Sequence, residues 1–180
     1  MKVHDLFEQG RSVLSVMVKN GKPEDKIDLS LNISDMRLNS LEGSPREVGR
    51  HVYAEGNNLE SLKGGPDIVK LSFNVERNKL TSTEWAPSFI GLDLFFSKNK
   101  LTSLHNIHKH IKHIGRYAYF EKNPIESHVL GLLLIDGLKF VGLDNEKVEN
   151  IINKHLKGER DVFACQEELI EAGYEEYAQL

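Results

Sequence analysis

A six-residue pattern recurs along the middle of this 180-residue chain at a fixed step. Asn57-Asn58-Leu59-Glu60-Ser61-Leu62, Asn78-Lys79-Leu80-Thr81-Ser82-Thr83 and Asn99-Lys100-Leu101-Thr102-Ser103-Leu104 share N-x-L-x-S-L, 21 residues apart. A degenerate copy, Met36 to Leu41, lies 21 residues upstream, and another, Asn123 to His128, follows after 24. The same period runs through Pro45, Pro66 and Pro87, and through Val48, Val69 and Ile90. A unit this short cannot close a core alone, so successive units must stack and bury one continuous apolar ladder.

Each Asn follows a short alternating segment: Leu31-Asn32-Ile33, Val52-Tyr53-Ala54, Phe73-Asn74-Val75, Leu94-Phe95-Phe96 and Ala118-Tyr119-Phe120. Apolar residues five and three positions before the Asn point to one side of a strand, and the residue between them points to the other. A side-chain amide at 57, 78, 99 and 123 can satisfy backbone groups left by the turn, so Asn57, Asn78, Asn99 and Asn123 are expected to form a ladder. Met36 breaks it, which predicts an irregular first coil. Coils of this length leave little room for helices on the far side, and the prolines obstruct them, so extended or 3₁₀ segments are expected there.

The spacing L-x-L-x-x-N-x-L is that of leucine-rich repeats. Continued as N-x-L-x-S-L-x-G-x-P through Gly43, Pro45, Gly64 and Pro66, it resembles the leucine-rich-repeat-like accessory proteins of large tailed bacteriophages. Ala164 to Gly173 is similar to the C-terminal part of such proteins, and the repeat resemblance spans about residues 28–130. It implies an α/β solenoid, a right-handed coil with a curved parallel sheet of about five strands, and a viral origin with residence in the host cytoplasm. It implies no activity, because solenoids of this kind serve many partners. The chain departs from the pattern at Thr83 and Trp85, which replace Leu and Gly, and at Ile107 to Ile114, where three residues are inserted and no Pro occurs.

A solenoid needs its two ends covered. Residues 1–27 read as an N-terminal cap: a short helix around Val3 to Gln9, a strand through Val13, Leu14, Val16 and Val18, an Asn20-Gly21 turn, and then Ile27 and Leu29 leading into the repeats. Residues 131–180 read as a helical C-terminal cap packed into the same domain. Asp144 would cap a helix carrying Val148, Ile151, Ile152 and His155 and ending at Gly158, and a second helix would run from near Asp161 to near Gly173. That C-terminal stretch holds eleven acidic and five basic residues, a net charge of −6.

The whole chain carries a formal −4, which weighs against a nucleic-acid partner. Its longest apolar stretch, Val129 to Ile135, is far too short to span a bilayer. Asp5 and Glu8 interrupt what a secretory leader would keep apolar, so a cytoplasmic location is expected and no membrane partner. The single Cys165 sits among carboxylates that raise a thiol pKa, and it is expected to be a buried structural residue. His105, His108, His110 and His113 lie with Lys109 and Lys112 in the inserted segment and are expected to form a solvated basic face, with no metal site. No phosphate loop or hydrolase motif occurs, so no cofactor and no catalysis are expected. The Glu55 and Glu76 pair would lie on a shallow face that lacks the cleft a glycosidase needs.

What remains is the outward side of the strands. Its central column is Asn32, Tyr53, Asn74, Phe95 and Tyr119, flanked by His51, Ser72, Asp93 and Tyr117 on one side and by Ser34, Glu55, Glu76, Ser97 and Glu121 on the other. Aromatic anchors with a polar rim suit a protein interface. The expected function is therefore a non-enzymatic protein-binding module, its partner a host protein of a defence or regulatory pathway if the viral resemblance holds. The alternative is a structural or assembly protein that self-associates, or docks, through its acidic C-terminal helices.

Overall fold

Each coil places one apolar side chain inward on either side of a tight bend, and two residues of strand at each place suffice because neighbouring coils extend the pairing. The computed structural model describes residues 25–180, with the backbone of two short strands before them. It is a parallel β-solenoid of about six coils. Leu31–Asn32, Val52–Tyr53, Phe73–Asn74, Leu94–Phe95, Tyr117–Tyr119 and Phe140–Gly142 form a six-stranded parallel sheet. Lys26–Ile27, Glu47–Val48, Ile68–Val69, Phe89–Ile90 and His113–Ile114 form a second, five-stranded one. The first sheet pairs Leu31 with Val52, Val52 with Phe73, Phe73 with Leu94, Leu94 with Ala118 and Ala118 with Val141. These residues are buried in one apolar cluster with Ile27, Val48, Val69, Ile90 and Ile114 of the second sheet.

One expectation needs correction here, and two are sharpened. The first sheet has six strands rather than about five, because Phe140–Gly142 continues it inside a stretch that was read as helical. The extended segments on the far side pair with one another into a sheet of their own. In the first coil the turn departs from the later ones at Arg37, whose φ of 58° has no counterpart at Asn58, Lys79 or Lys100, but the strand pairing does not: Leu31 and Ile33 donate to His51 and Tyr53 as their counterparts do in later coils.

The reason lies in how the asparagines work. Each serves the turn of the coil before it: Leu38, Leu59, Leu80 and Leu101 donate backbone N–H groups to Oδ1 of Asn57, Asn78, Asn99 and Asn123 at 2.9–3.1 Å. Their amide nitrogens donate to carbonyls of both coils, Asn78 to Ala54 and Val75, for example, each at 3.0 Å. The Met36 N–H itself is received by Asn57. The repeated serine has a separate task, since Ser40, Ser61, Ser82 and Ser103 each accept the N–H two residues on and close the next corner.

Pro45, Pro66 and Pro87 are buried at the corner before the second sheet. Where proline is missing, the inserted segment forms one helical turn, Ile107–His110, and the buried Ile111 takes the proline's place three residues before Ile114. Thr83, standing in a leucine column, is buried, and its hydroxyl is within 3.3 Å of His110 Nδ1. The departure at Thr83 and the insertion that brings in His110 thus answer each other.

At the C-terminal side a five-residue 3₁₀ turn, Leu130–Leu134, leads to the sixth strand and then to helices Glu146–Lys157 and Val162–Glu171. Asn145, not Asp144, caps the first helix, accepting from Val148, while Asp144 accepts from the Lys122 N–H. Asp161 caps the second, accepting from Phe163 and Ala164. The first helix lies over the open edge of the six-stranded sheet. Asn153 accepts from Val141 N–H and donates to Val141 C=O, both at 2.8 Å, as a peptide of a seventh strand would. Before the repeats, Val18–Lys19 pairs antiparallel with Lys22–Pro23, and the expected Asn20-Gly21 turn lies outside the described residues. The helix expected at Val3 to Gln9 and the strand residues Val13, Leu14 and Val16 lie outside the described residues. Leu29 is exposed rather than buried.

Candidate functional site

The strand pairing lines up the outward residues of the six-stranded sheet. Asn32, Tyr53, Asn74, Phe95, Tyr119 and Gly142 share one column, since each pairs with the next. Asn32 is exposed, and Tyr53, Asn74, Phe95 and Tyr119 are half-buried. Phe95 and Tyr119 stack with ring centroids 5.2 Å apart and planes 8° from parallel. Tyr53 stacks instead on His51 at 5.5 Å, and Asn74 separates the two aromatic groups.

Strand Phe140–Gly142 widens the row in a way the sequence columns did not show. Phe140 pairs with Tyr117, its ring edge-on at 6.2 Å, and lies 6.4 Å from Tyr119. Phe95, Tyr117, Tyr119 and Phe140 therefore form one continuous aromatic patch near the C-terminal end of the sheet.

Arg116 was also missed. Its guanidinium grips Asp93 with two hydrogen bonds, Nε to Oδ1 at 2.9 Å and Nη2 to Oδ2, and lies 5.1 Å from the centre of the Tyr117 ring. Asp93 is buried and holds the Arg116 pKa above its ordinary value through this bond. Asp93 is thus a fixed support for Arg116 rather than a free recognition group. The sequence signal was weak, because the partners stand 23 residues apart and only the lengthened coil brings them level.

On the other flank, Glu55, Glu76 and Glu121 are half-buried, and Ser97 donates to Glu121 at 2.9 Å. A shallow depression of about 300 Å³ opens between Phe95, Tyr119, Glu76, Ser97, Lys98 and Glu121. Burial, and then the nearby Asp93 and Glu121 charges, push the Tyr119 hydroxyl pKa upward, so it stays a hydrogen-bond donor at neutral pH.

The C-terminal segment leaves this face open. Its contacts run along the turn side: Val129 donates to Tyr177 O, Tyr177 Oη to Ile125 O, and His128 to Glu176 O.

The histidines of the inserted segment turn to different partners. His105 contacts Leu180 O, His110 faces Thr83, and His113 stacks on Phe89 at 4.7 Å and contacts Asp136 at 2.9 Å. Among the described residues no group of three or more His, Cys, Asp or Glu is placed to hold a metal ion. Cys165 is buried, and desolvation together with Glu168 pushes its thiol up to about 12, which leaves it a poor nucleophile. Nor is any helix among the described residues long and apolar enough to cross a membrane. No family model matches the chain, and neither a curated protein nor a solved structure does.

Proposed function

We propose that the protein is a non-enzymatic binding module that grips a protein partner on the outward, concave face of its six-stranded sheet. One observation supports this above the others: Phe95, Tyr117, Tyr119 and Phe140 form a half-buried aromatic patch on a face that no other part of the described chain covers. Folding does not call for aromatic rings on the outward side of a strand, whereas an interface core is enriched in them. Arg116, fixed by Asp93, and the Glu55, Glu76 and Glu121 flank supply a polar rim.

In this proposal the solenoid is of the leucine-rich-repeat class, a right-handed coil capped by residues 1–27 and 131–180, and it works in the cytoplasm. Origin in a bacterial virus, and with it a host protein of a defence or regulatory pathway as partner, rests on the motif resemblance alone.

The test is retention of proteins from a bacterial lysate by wild type and by the triple variant Tyr53→Ala, Phe95→Ala, Tyr119→Ala, with circular dichroism verifying the fold. A partner held by wild type and lost by the folded variant is the expected result. Equal retention by both would favour the second reading, docking through the acidic C-terminal helices, where Phe163 and Ile170 are exposed. No retained partner at all would remove the host-protein reading.

A further inference from the structure

Away from the aromatic patch, one corner of the solenoid breaks its own rule. The residue after the S-L-x triplet must adopt a left-handed backbone. It is Gly43 (φ 93°), Gly64 (φ 83°), Trp85 (φ 65°) and Asn106 (φ 58°) in successive coils. Glycine and asparagine reach this conformation readily, and a bulky aromatic does so only under strain. Yet Trp85 is 54% exposed, so its burial does not repay that strain. A residue held against its local preference without a packing gain marks a place selected for something other than stability.

Trp85 stands at the end of a groove of about 380 Å³ lined by Ser40, Glu42, Arg46, Lys63 and Gly64. At its floor Gly64 lets the two coils approach closely, since a Cβ there would meet the Glu42 backbone at 2.8 Å. Lys63 Nζ lies over one face of the indole, 5.8 Å from its centre, and leaves the other face for a ligand. Arg46 is paired with Asp67, and among the described residues the formal charges of Arg46, Lys63, Glu42 and Asp67 sum to zero, so the groove has little net charge. The groove therefore combines one flat aromatic face, with its negative π surface, and a dense, charge-balanced set of donors and acceptors. It has no second apolar pocket of the kind a peptide side chain needs, and no uncompensated positive field for a phosphate.

We propose that this groove binds a neutral saccharide, a mono- or disaccharide unit whose C–H face stacks on Trp85 while its hydroxyls bond Glu42, Arg46 and Ser40. Its size suits a ligand of that scale. The site is separate from the aromatic patch on the six-stranded sheet.

Trp85 is the chain's one tryptophan, so its fluorescence reports this groove alone. Maltose, cellobiose, lactose and N,N′-diacetylchitobiose are titrated against the full-length protein, with AMP as an anionic, stacking comparator. The expected result is a saturable emission change with at least one of the sugars in the millimolar range or tighter, and a weaker response to AMP. Saturation-transfer NMR then follows the variants. Trp85→Gly should lose the sugar signal while melting at or above the wild-type temperature, and Arg46→Gln or Glu42→Gln should weaken binding roughly tenfold. The triple variant of the sheet face should bind the sugar as wild type does. No response to any of the four sugars, tighter binding of AMP, or retention of sugar by Trp85→Gly would overturn the proposal. So would loss of sugar binding in the folded triple variant, which would place the ligand on the other face.

Discussion

Asn78 makes four hydrogen bonds with a side chain of two polar atoms, and the three at 3.0 Å go to backbone groups closed off from water. Truncating it strands those groups, and Asn78→Ala or Asn99→Ala should each cost about 1–3 kcal/mol in a urea or guanidinium titration. Asn78→Asp should cost more at neutral pH, since a carboxylate still accepts from Leu59 but cannot donate to Ala54 and Val75. An unchanged midpoint for all three variants would remove the ladder from the account of stability.

Histidine supplies a second residue-scale prediction. Burial is the main cause that lowers the pKa of His108 and of His110, and for His108 the neighbouring Lys109 and Lys112 add to it. A base with a depressed folded pKa binds fewer protons folded than unfolded, so stability is full above the ordinary value near 6.5 and falls as pH drops through the depressed one. Glu168, held low by hydrogen bonds from Lys154 and His155, adds a further loss only below the ordinary carboxylate range. Melting temperature should therefore decline as pH is taken below about 6.5 in wild type and decline less in His108→Leu. A wild-type profile that stays flat below that pH would contradict it.

Among the elements, the helix Glu146–Lys157 has the clearest double task. Its buried face, Val148, Ile152 and Leu156, covers apolar core, and Asn153 pairs with both polar groups of Val141. Asn153→Leu keeps the apolar packing but leaves a buried N–H and C=O without partners, a loss of roughly 2–4 kcal/mol. Amide exchange at Val141 should accelerate more than at Val52, deep in the same sheet. Equal exchange at both positions would mean that the helix does not close this edge.

The strand columns could be read from the sequence because a fixed 21-residue step repeats the same inward apolar pair in five segments. The second sheet could not be read as a sheet, since each of its strands offers only one inward residue and no alternation. The sixth strand escaped for a related reason: the ladder position after it is Glu146, where a helix already begins, so no Asn marked the repeat. Phe140 was lost from the candidate site with it. Phe163 is apolar by type, yet it stands 78% exposed, because a ten-residue helix presents its core through Cys165 and Leu169.

At the scale of the whole molecule, the solenoid offers distinct surfaces. The six-stranded sheet shows aromatic rings outward, the second sheet shows the smaller Phe89–His113 stack with Lys70 Nζ 5.6 Å from the Phe89 ring, and the C-terminal helices show Phe163 and Ile170 among carboxylates. Net charge divides along the same line, −6 after residue 130 and +2 before it. Two copies meeting helix to helix would oppose like charges, so self-association through that end is disfavoured and weakens further at low salt. Sedimentation at low and at physiological ionic strength should show no salt-weakened monomer; dimerisation that strengthens as salt is removed would contradict this.

The measurement that bears most directly on the binding face is site-specific photo-crosslinking inside bacterial cells, with a photoreactive phenylalanine analogue in place of Tyr119, Phe89 or Phe163 in otherwise unchanged protein. Capture of the same partner from position 119, with none from 89 or 163, is the predicted result. Capture from 163 and not from 119 would place recognition on the acidic helices and contradict the assignment of the sheet face.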